Sequence, residues 1–242
     1  MASKRADIYL VEHGYYESRA RAQAAIKAGC VRVNGKRLTK ASFKLDESFD
    51  IEAKAEHPWV SRAGIKLAFA VSHFDIDISG KTCLDIGSST GGFSQVLLAN
   101  GAKKVYAVDV GQDQLHSRLH NHDRLVSLEN TDARDLTADR LGCVPDLIVC
   151  DASFISLRKV LTQPLGLTGR NGALIALVKP QFEVGKAGIG RGGLVKSERL
   201  ALQALSDICA WVEGQGWEVL STSPSPIKGG SGNREYLVYA RK

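Results

Sequence analysis

Asp85, Asp109, Asp132, Asp151, Lys179 and Glu235 each stand at the edge of a short apolar run. In a chain that alternates strands and helices, strand ends are where side chains meet a ligand. The densest stretch is Cys83-Leu84-Asp85-Ile86-Gly87-Ser88-Ser89-Thr90-Gly91-Gly92-Phe93, which reads as a buried strand ending in an acid, a glycine turn and a helix start. Glycine suits a tight turn and a close backbone approach because it has no Cβ. Val105-Tyr106-Ala107-Val108-Asp109 closes the next strand with a second acid. At that place, about 20 residues on, a carboxylate can hold the two hydroxyls of a ribose. A dinucleotide fingerprint needs G-x-G-x-x-G to seat a pyrophosphate on a helix N-terminus. Here the turn is Gly87-x-x-x-Gly91-Gly92, and carboxylates dominate. This disfavours a nicotinamide dinucleotide and suits a cationic nucleoside that carries an amino acid, S-adenosylmethionine (SAM). Ser88 and Phe93 belong to the same expected cofactor loop.

Three more strand ends carry polar groups. In Thr131-Asp132-Ala133 a carboxylate can accept from an adenine amino group; Asp151 ends Leu147-Ile148-Val149-Cys150, and Lys179 ends Leu177-Val178. An aspartate at one strand tip can orient a lysine at the next. Glu235 follows the loop Gly229–Arg234 and can reach the same rim. His116, His120 and His122 have partly helical spacing but no cysteine or acidic pair beside them, so no metal site is expected. Residues 185–193 are glycine-rich without a Gly-Lys-Ser/Thr at phosphate-loop spacing, and read as a mobile, basic, substrate-facing flap.

The elements that position these groups follow from periodicity. Strands are expected near 81–86, 104–109, 125–129, 146–151 and 172–178, with helices near 92–100, 112–121, 156–167 and 197–214. Two last strands, near 217–223 and 235–240, should pair antiparallel. Ser61 is the expected cap of a helix running to about Phe74, with Val60, Gly64, Leu67, Val71 and Phe74 at core spacing and Lys66 off that stripe. This predicts an α/β fold: a Rossmann-like, doubly wound seven-stranded sheet with ligand beyond the carboxyl ends of its strands.

The first part of the chain differs. Residues 4–30 read as two short helices around Gly14-Tyr15-Tyr16, with Ser18 as a cap, Gly29 as a stop, and Arg19, Arg21 and Lys27 projecting outward. Val31–Leu38 alternates about an Asn34-Gly35 turn, a hairpin signal, and carries Arg32, Lys36 and Arg37. Lys4 to Lys44 holds ten Lys/Arg against three acids, whereas the whole 242-residue chain has a net charge of only +6. A basic module joined to a neutral one points to nucleic acid. The proline-marked Glu56-His57-Pro58-Trp59-Val60 places the expected boundaries at 1–56, a linker at 57–61, and 62–242. Five scattered cysteines without a C-x-x-C read as free thiols in a reducing, cytoplasmic setting. No apolar run approaches membrane-spanning length, and a monomer is expected.

Arg5-Ala6-Asp7, Glu17-Ser18-Arg19-Ala20, Ile26-Lys27-Ala28-Gly29 and Val31-x-Val33-Asn34-Gly35 resemble the small α+β domain of ribosomal protein S-four. That resemblance implies structured RNA as a partner and adds Arg5 to the RNA-binding set. The larger part resembles the FtsJ-type SAM-dependent RNA 2′-O-methyltransferases, and the whole chain resembles the TlyA family, which joins the same two domains and is often labelled haemolysin. The resemblance implies a catalytic tetrad matching Lys66, Asp151, Lys179 and Glu235. It also implies methyl transfer to a ribose 2′-hydroxyl, of a cytidine, in ribosomal RNA or ribosomal subunits. In that reaction Lys179 is the candidate general base, or else a fixed cation that stabilises a developing alkoxide; the sequence leaves these two open. His57-Pro58-Trp59-Val60 stands where some members carry a basic residue followed by Ala-Trp-Val. Two other readings compete. One is a non-catalytic RNA- or ribosome-binding factor; the other is a membrane-damaging haemolysin, which would need a lytic amphipathic segment that the chain does not show.

Overall fold

In the computed structural model, which describes residues 3–242, the chain divides into two units, one ending at Pro58 and the other spanning Trp59–Lys242.

The smaller unit comprises β1 (Lys4–Arg5), α1 (Ala6–Glu12), α2 (Arg19–Ala28), β2 (Val31–Val33), β3 (Lys36–Arg37), β4 (Lys44–Leu45) and β5 (Ile51–Ala53). Ser18 caps α2 by accepting from the Arg21 N–H, and Gly29 ends it in the left-handed region at φ +82°. Asn34 and Gly35, at φ +49° and +74°, turn the hairpin so that Val33 pairs with Lys36. Alternation along β2 sends Val31 and Val33 into a core with Leu10, Ile26 and Leu45, and leaves Arg32 outside.

One buried charge organises the helical side of this unit. Asp7 is wholly buried and accepts from Arg5 (3.0 and 3.1 Å), Arg19 (3.0 Å) and Gln23 (2.6 Å). A buried carboxylate is tolerable only when paired and hydrogen-bonded. Arg5 and Arg19, expected as outward phosphate ligands, are therefore aimed by an internal acid.

In the larger unit, α3 (Ala63–His73) precedes a sheet of β6 (Thr82–Ile86), β7 (Lys104–Val108), β8 (Leu125–Leu128), β9 (Leu147–Cys150), β10 (Ala173–Val178), β11 (Glu218–Pro224) and β12 (Tyr236–Arg241). Between the strands run α4 (Gly92–Ala99), the four-residue α5 (Ala138–Leu141), α6 (Leu157–Gly166) and α7 (Glu198–Gly214). The spatial order is β8-β7-β6-β9-β10-β12-β11; β12 is antiparallel to both neighbours and the other pairings are parallel. Successive residues face opposite layers. Cys83, Val149, Ile175 and Leu177 pack on α3 and α4, whereas Leu84, Ile148, Leu174 and Ala176 pack on α6 and α7. Each such leucine or isoleucine, fully buried, stabilises the fold by about 2 kcal/mol. Strand order reverses beside β6, so the carboxyl ends of β6, β7 and β9 form the crevice that such sheets use for ligands.

Two expectations are corrected. Residues 112–121 do not form a helix; a single 3₁₀ turn, Ser117–Leu119, stands there. The Glu129 carboxylate takes the N–H groups of Asp113, Gln114 and Leu115 (3.0, 2.8 and 3.2 Å), and Asp113 and Asn121 adopt positive φ. Those bonds displace helical ones. Ser61 does not cap α3, because Arg62 occupies the cap position with no side-chain bond.

The Arg5 guanidinium, with Gln23 and Arg19, holds the Asp7 carboxyl well below the ordinary carboxylate value, against the opposite push of burial. A depressed folded-state pKa contributes stability that is present above the unfolded value, about 4, and is lost as pH falls below it. Asp7→Asn is therefore expected to destabilise the chain by about 2 kcal/mol at pH 7, with the deficit shrinking below pH ~4. Urea denaturation at pH 7 and pH 3.5 checks this; a deficit that grows in acid would contradict it.

Candidate active site

The tips of β6 and β9 touch, and that contact dictates Gly87. It sits at φ +76°, and a Cβ there would lie 2.9 Å from Ala152 Cα and 3.0 Å from its nitrogen. Gly91, at φ +86°, leaves room for the side chains of Leu115 and Leu119, and Gly92 lets Ser61 and Ala63 close onto the start of α4. Ser88 and Phe93 are buried. Of the glycine loop expected to touch a cofactor, Gly87 lines a cavity, while Ser88, Gly91, Gly92 and Phe93 are not among its lining residues.

Asp85 also lies beneath the loop. Its side chain is wholly buried, accepts from the Ser94 hydroxyl at 2.7 Å through Oδ2, and has no hydrogen-bond partner at Oδ1. Burial pushes its carboxyl up to about 7, with Ser94 opposing.

Asp109, at the tip of β7, faces the crevice. Its carboxylate accepts from Ser89 N and Gly111 N, each at 2.8 Å, and so ties the loop after β6 to the loop after β7. The cavity beside it encloses about 500 Å³ and is lined by Gly87, Asp109, Asp132, Ala133 and Asp151, all expected from sequence. Its walls also include Ser89, Val110, Gln114, Ile155 and Val160. Asp132 pairs with Arg134 at 2.6 Å, which lowers its carboxyl pKa. Glu129 was not foreseen, although it holds the loop that brings Gln114 to the wall; only a fold that removes the expected helix reveals it.

The four residues matched to the tetrad meet at the next strand tips. Lys66 Nζ is 2.7 Å from Glu235 Oε2 and 3.7 Å from Asp151 Oδ2, and Lys179 Nζ is 2.7 Å from Asp151 Oδ1. Their side chains are 3 to 12 % exposed. The result is a row of alternating sign, Glu235–Lys66–Asp151–Lys179, with no net charge. α3 buries Gly64, Lys66, Leu67 and Ala70; Lys66 is off the apolar stripe because it points to this row. A Cβ on Gly64 would come within 2.5 Å of the Trp59 side chain, so this glycine lets the indole lie against the helix.

A second cavity, of about 560 Å³, is lined by Lys66, Lys179 and Glu235 together with Gln181, Phe182, Ile189 and Ser231. Ser153 and Phe154 line both cavities. Phe154 is 91 % exposed, stands at φ +66°, and approaches Phe182 with ring centroids 5.3 Å apart. Of the glycine-rich segment, Ile189 and Gly193 face this cavity, and the buried Asn233 fastens it by accepting from Val195 N and donating to Gly193 O, each at 2.9 Å.

In the smaller unit, Arg19, Lys27, Arg32, Lys36 and Arg37 are exposed, and Arg5 and Arg21 half-buried. Arg32 donates to Gly35 O and Arg37 to Lys27 O, which stiffens the hairpin's cations. Among the described residues no group of three His, Cys, Asp or Glu is placed to hold a metal ion, and no helix is long and apolar enough to cross a membrane.

A carboxyl raised by burial favours folding in its protonated form, so its contribution is present below the unfolded value near 4 and is lost as pH rises to about 7. The shift corresponds to a loss on the order of 4 kcal/mol over that window. Asp85→Asn, which keeps an acceptor for Ser94, is expected to gain stability over the native chain between pH 4 and pH 7, with a constant gap above. Denaturant titrations at pH 4.5 and pH 8 without ligand test this, and an equal gap at the two values would refute it.

The FtsJ-like methyltransferase family matches residues 59–242 and the S4 domain family residues 4–50. The chain is 41% identical over 239 residues to the 16S/23S rRNA (cytidine-2′-O)-methyltransferase TlyA of Mycobacterium tuberculosis, covering 98% of this chain and 89% of that protein. It is 40% identical to Hemolysin A of Brachyspira hyodysenteriae, covering 97% and 98%. A solved Streptococcus thermophilus structure, 37% identical, superposes with a TM-score of 0.78 over 100% of this chain and 89% of that one. With an S4 domain followed by an FtsJ-like methyltransferase domain, and this identity over nearly its whole length, the chain belongs to the TlyA family.

Proposed function

We propose that the protein transfers the methyl group of SAM to the ribose 2′-hydroxyl of a cytidine in ribosomal RNA. One observation carries this reading: the buried row Glu235–Lys66–Asp151–Lys179 lies where a nucleoside-sized cavity and a second cavity share a wall. A cofactor held in one and a nucleotide held in the other would react across that wall.

The residues of the first cavity fit SAM. Asp109 offers two carboxylate oxygens to a ribose diol, Val110, Ala133, Ile155 and Val160 offer apolar walls to a purine, and Asp132 offers an acceptor to its amino group. When bound, SAM supplies a methyl group already activated by its sulfonium, so alignment is the main demand on the protein. Lys179 Nζ donates to Asp151 O (2.9 Å) and Ser153 Oγ (2.6 Å) and pairs with the Asp151 carboxylate. Three oxygens around one nitrogen suit an ammonium. Lys179 is therefore read as a fixed cation that stabilises the developing alkoxide, with the hydroxyl proton passing to water, rather than as a base. Lys66 is held by Glu235 and Asp151 and shares the positive edge of the second cavity. Phe154 offers an exposed ring on which the acceptor base can stack.

The smaller unit grips structured RNA through phosphate contacts from Arg5, Arg19, Arg21, Lys27, Arg32, Lys36 and Arg37. The protein works as a monomer in the cytoplasm, and its two domains part within the linker 57–61.

Tritium transfer from labelled SAM to ribosomal subunits and to protein-free ribosomal RNA tests the proposal. Label should appear on RNA, map to a 2′-O-methylcytidine, and fall by about 100-fold or more in Lys179→Ala. A chain that binds SAM yet labels neither substrate, or labels a base, would overturn it.

A further inference from the structure

Lys179 is one of four residues in the buried row, but its nitrogen has a partner outside that row. Of the three oxygens around Nζ, two receive directed hydrogen bonds: the Asp151 carbonyl at 2.9 Å and Ser153 Oγ at 2.6 Å. The third, Asp151 Oδ1, is an ion-pair contact at 2.7 Å without a directed bond. An ammonium is a three-fold rotor on a flexible stem. Rotation about Cε–Nζ is opposed by each hydrogen bond the ammonium donates, so two hold its remaining N–H more firmly than one. The second is supplied by Ser153, an exposed residue on the wall shared by the two cavities, next to a lysine only 7 % exposed.

The neighbouring backbone holds Ser153 in place. Asp151 N donates to Ile86 O at 3.1 Å, and Phe154 takes a positive φ. Glu183 accepts from Ser156 Oγ (2.6 Å) and Leu157 N (2.9 Å), fastening the far side of the turn to the segment that follows Lys179. The turn that carries the hydroxyl is thus tied to β6 on one side and to the segment that follows Lys179 on the other.

We infer that Ser153 is a positioning residue: its hydroxyl fixes the Lys179 ammonium so that the remaining N–H is directed to the ribose oxygen entering the second cavity. This rests on the functional reading above. A hydroxyl that accepts from an ammonium keeps its own proton to donate, so Ser153 takes no proton from the substrate. Its effect is exerted through Lys179.

Three readouts test the assignment in the full chain. With ribosomal subunits as substrate, Ser153→Ala should lower kcat about tenfold, the scale of one hydrogen bond to a charged group, with KM for RNA and the calorimetric Kd for SAM within twofold of the native chain. Ser153→Thr, which restores the hydroxyl, should recover most of that kcat. Without any ligand, the ¹⁵Nζ signal of Lys179, assigned by its loss in Lys179→Arg, should exchange its protons with water at least several-fold faster in Ser153→Ala. Native kcat in Ser153→Ala, a loss carried by SAM affinity, failure of Thr to rescue, or unchanged proton exchange would each overturn it. A native chain that transfers no methyl to RNA would overturn the functional reading, and this assignment with it.

Discussion

Four charges in one buried row must neutralise one another. A lone carboxylate or ammonium taken from water costs several kcal/mol, and removing one partner of a buried pair leaves that cost uncompensated. Glu235, Lys66, Asp151 and Lys179 come from four separate elements: the edge of β12, α3, the tip of β9 and the tip of β10. The row therefore exists only if all four elements are in register. Much of the local sequence can be understood as enforcing that. Gly92 admits Ser61 and Ala63 against α4, Gly64 admits Trp59 against α3, and Gly87 admits Ala152 against β6. The antiparallel β12, placed between β10 and β11, brings Glu235 beside the strand that bears Lys179.

The cofactor side depends on a different device, loops held by carboxylates. Asp109 ties two loops together through backbone N–H groups, and Glu129, just past β8, holds the second of them further along. Such bonds leave each carboxylate with unused lone pairs and fix the wall in advance, so little ordering remains to be done when a nucleoside enters. Asp7 in the smaller unit repeats the scheme with opposite sign, an internal acid aiming cations outward.

The strands, most helices and the acids at strand tips were legible because burial on two faces leaves continuous apolar runs that end abruptly. What escaped was set by tertiary contact. Residues 112–121 have helical spacing, but their amides bond to Glu129, which only the folded sheet brings near. Periodicity left Lys66 merely off-stripe, and only the family resemblance matched it to the tetrad, because its partners are 85 and 169 positions away in the sequence. Gly91 and Gly92 read as part of a cofactor loop, and the close packing that each also permits, against Leu115 and Leu119 and against Ser61 and Ala63, was not legible. Ser153 gave no signal of its own, for a serine two residues past an aspartate is ordinary until a lysine nitrogen is found 2.6 Å away.

The interdependence of the row is tested most directly by a double-mutant cycle on its first pair, Lys66→Met and Glu235→Gln, with stability and methyl transfer read on each chain. Each single change should cost about 3 kcal/mol by stranding a buried charge, whereas the double variant should lose far less than the sum, a coupling of about 2 kcal/mol or more. Methyl transfer should stay abolished in the double variant, because a neutral pair restores packing and not the positive edge of the second cavity. Additive losses, or a double variant that transfers methyl at the native rate, would contradict the central place given to this row.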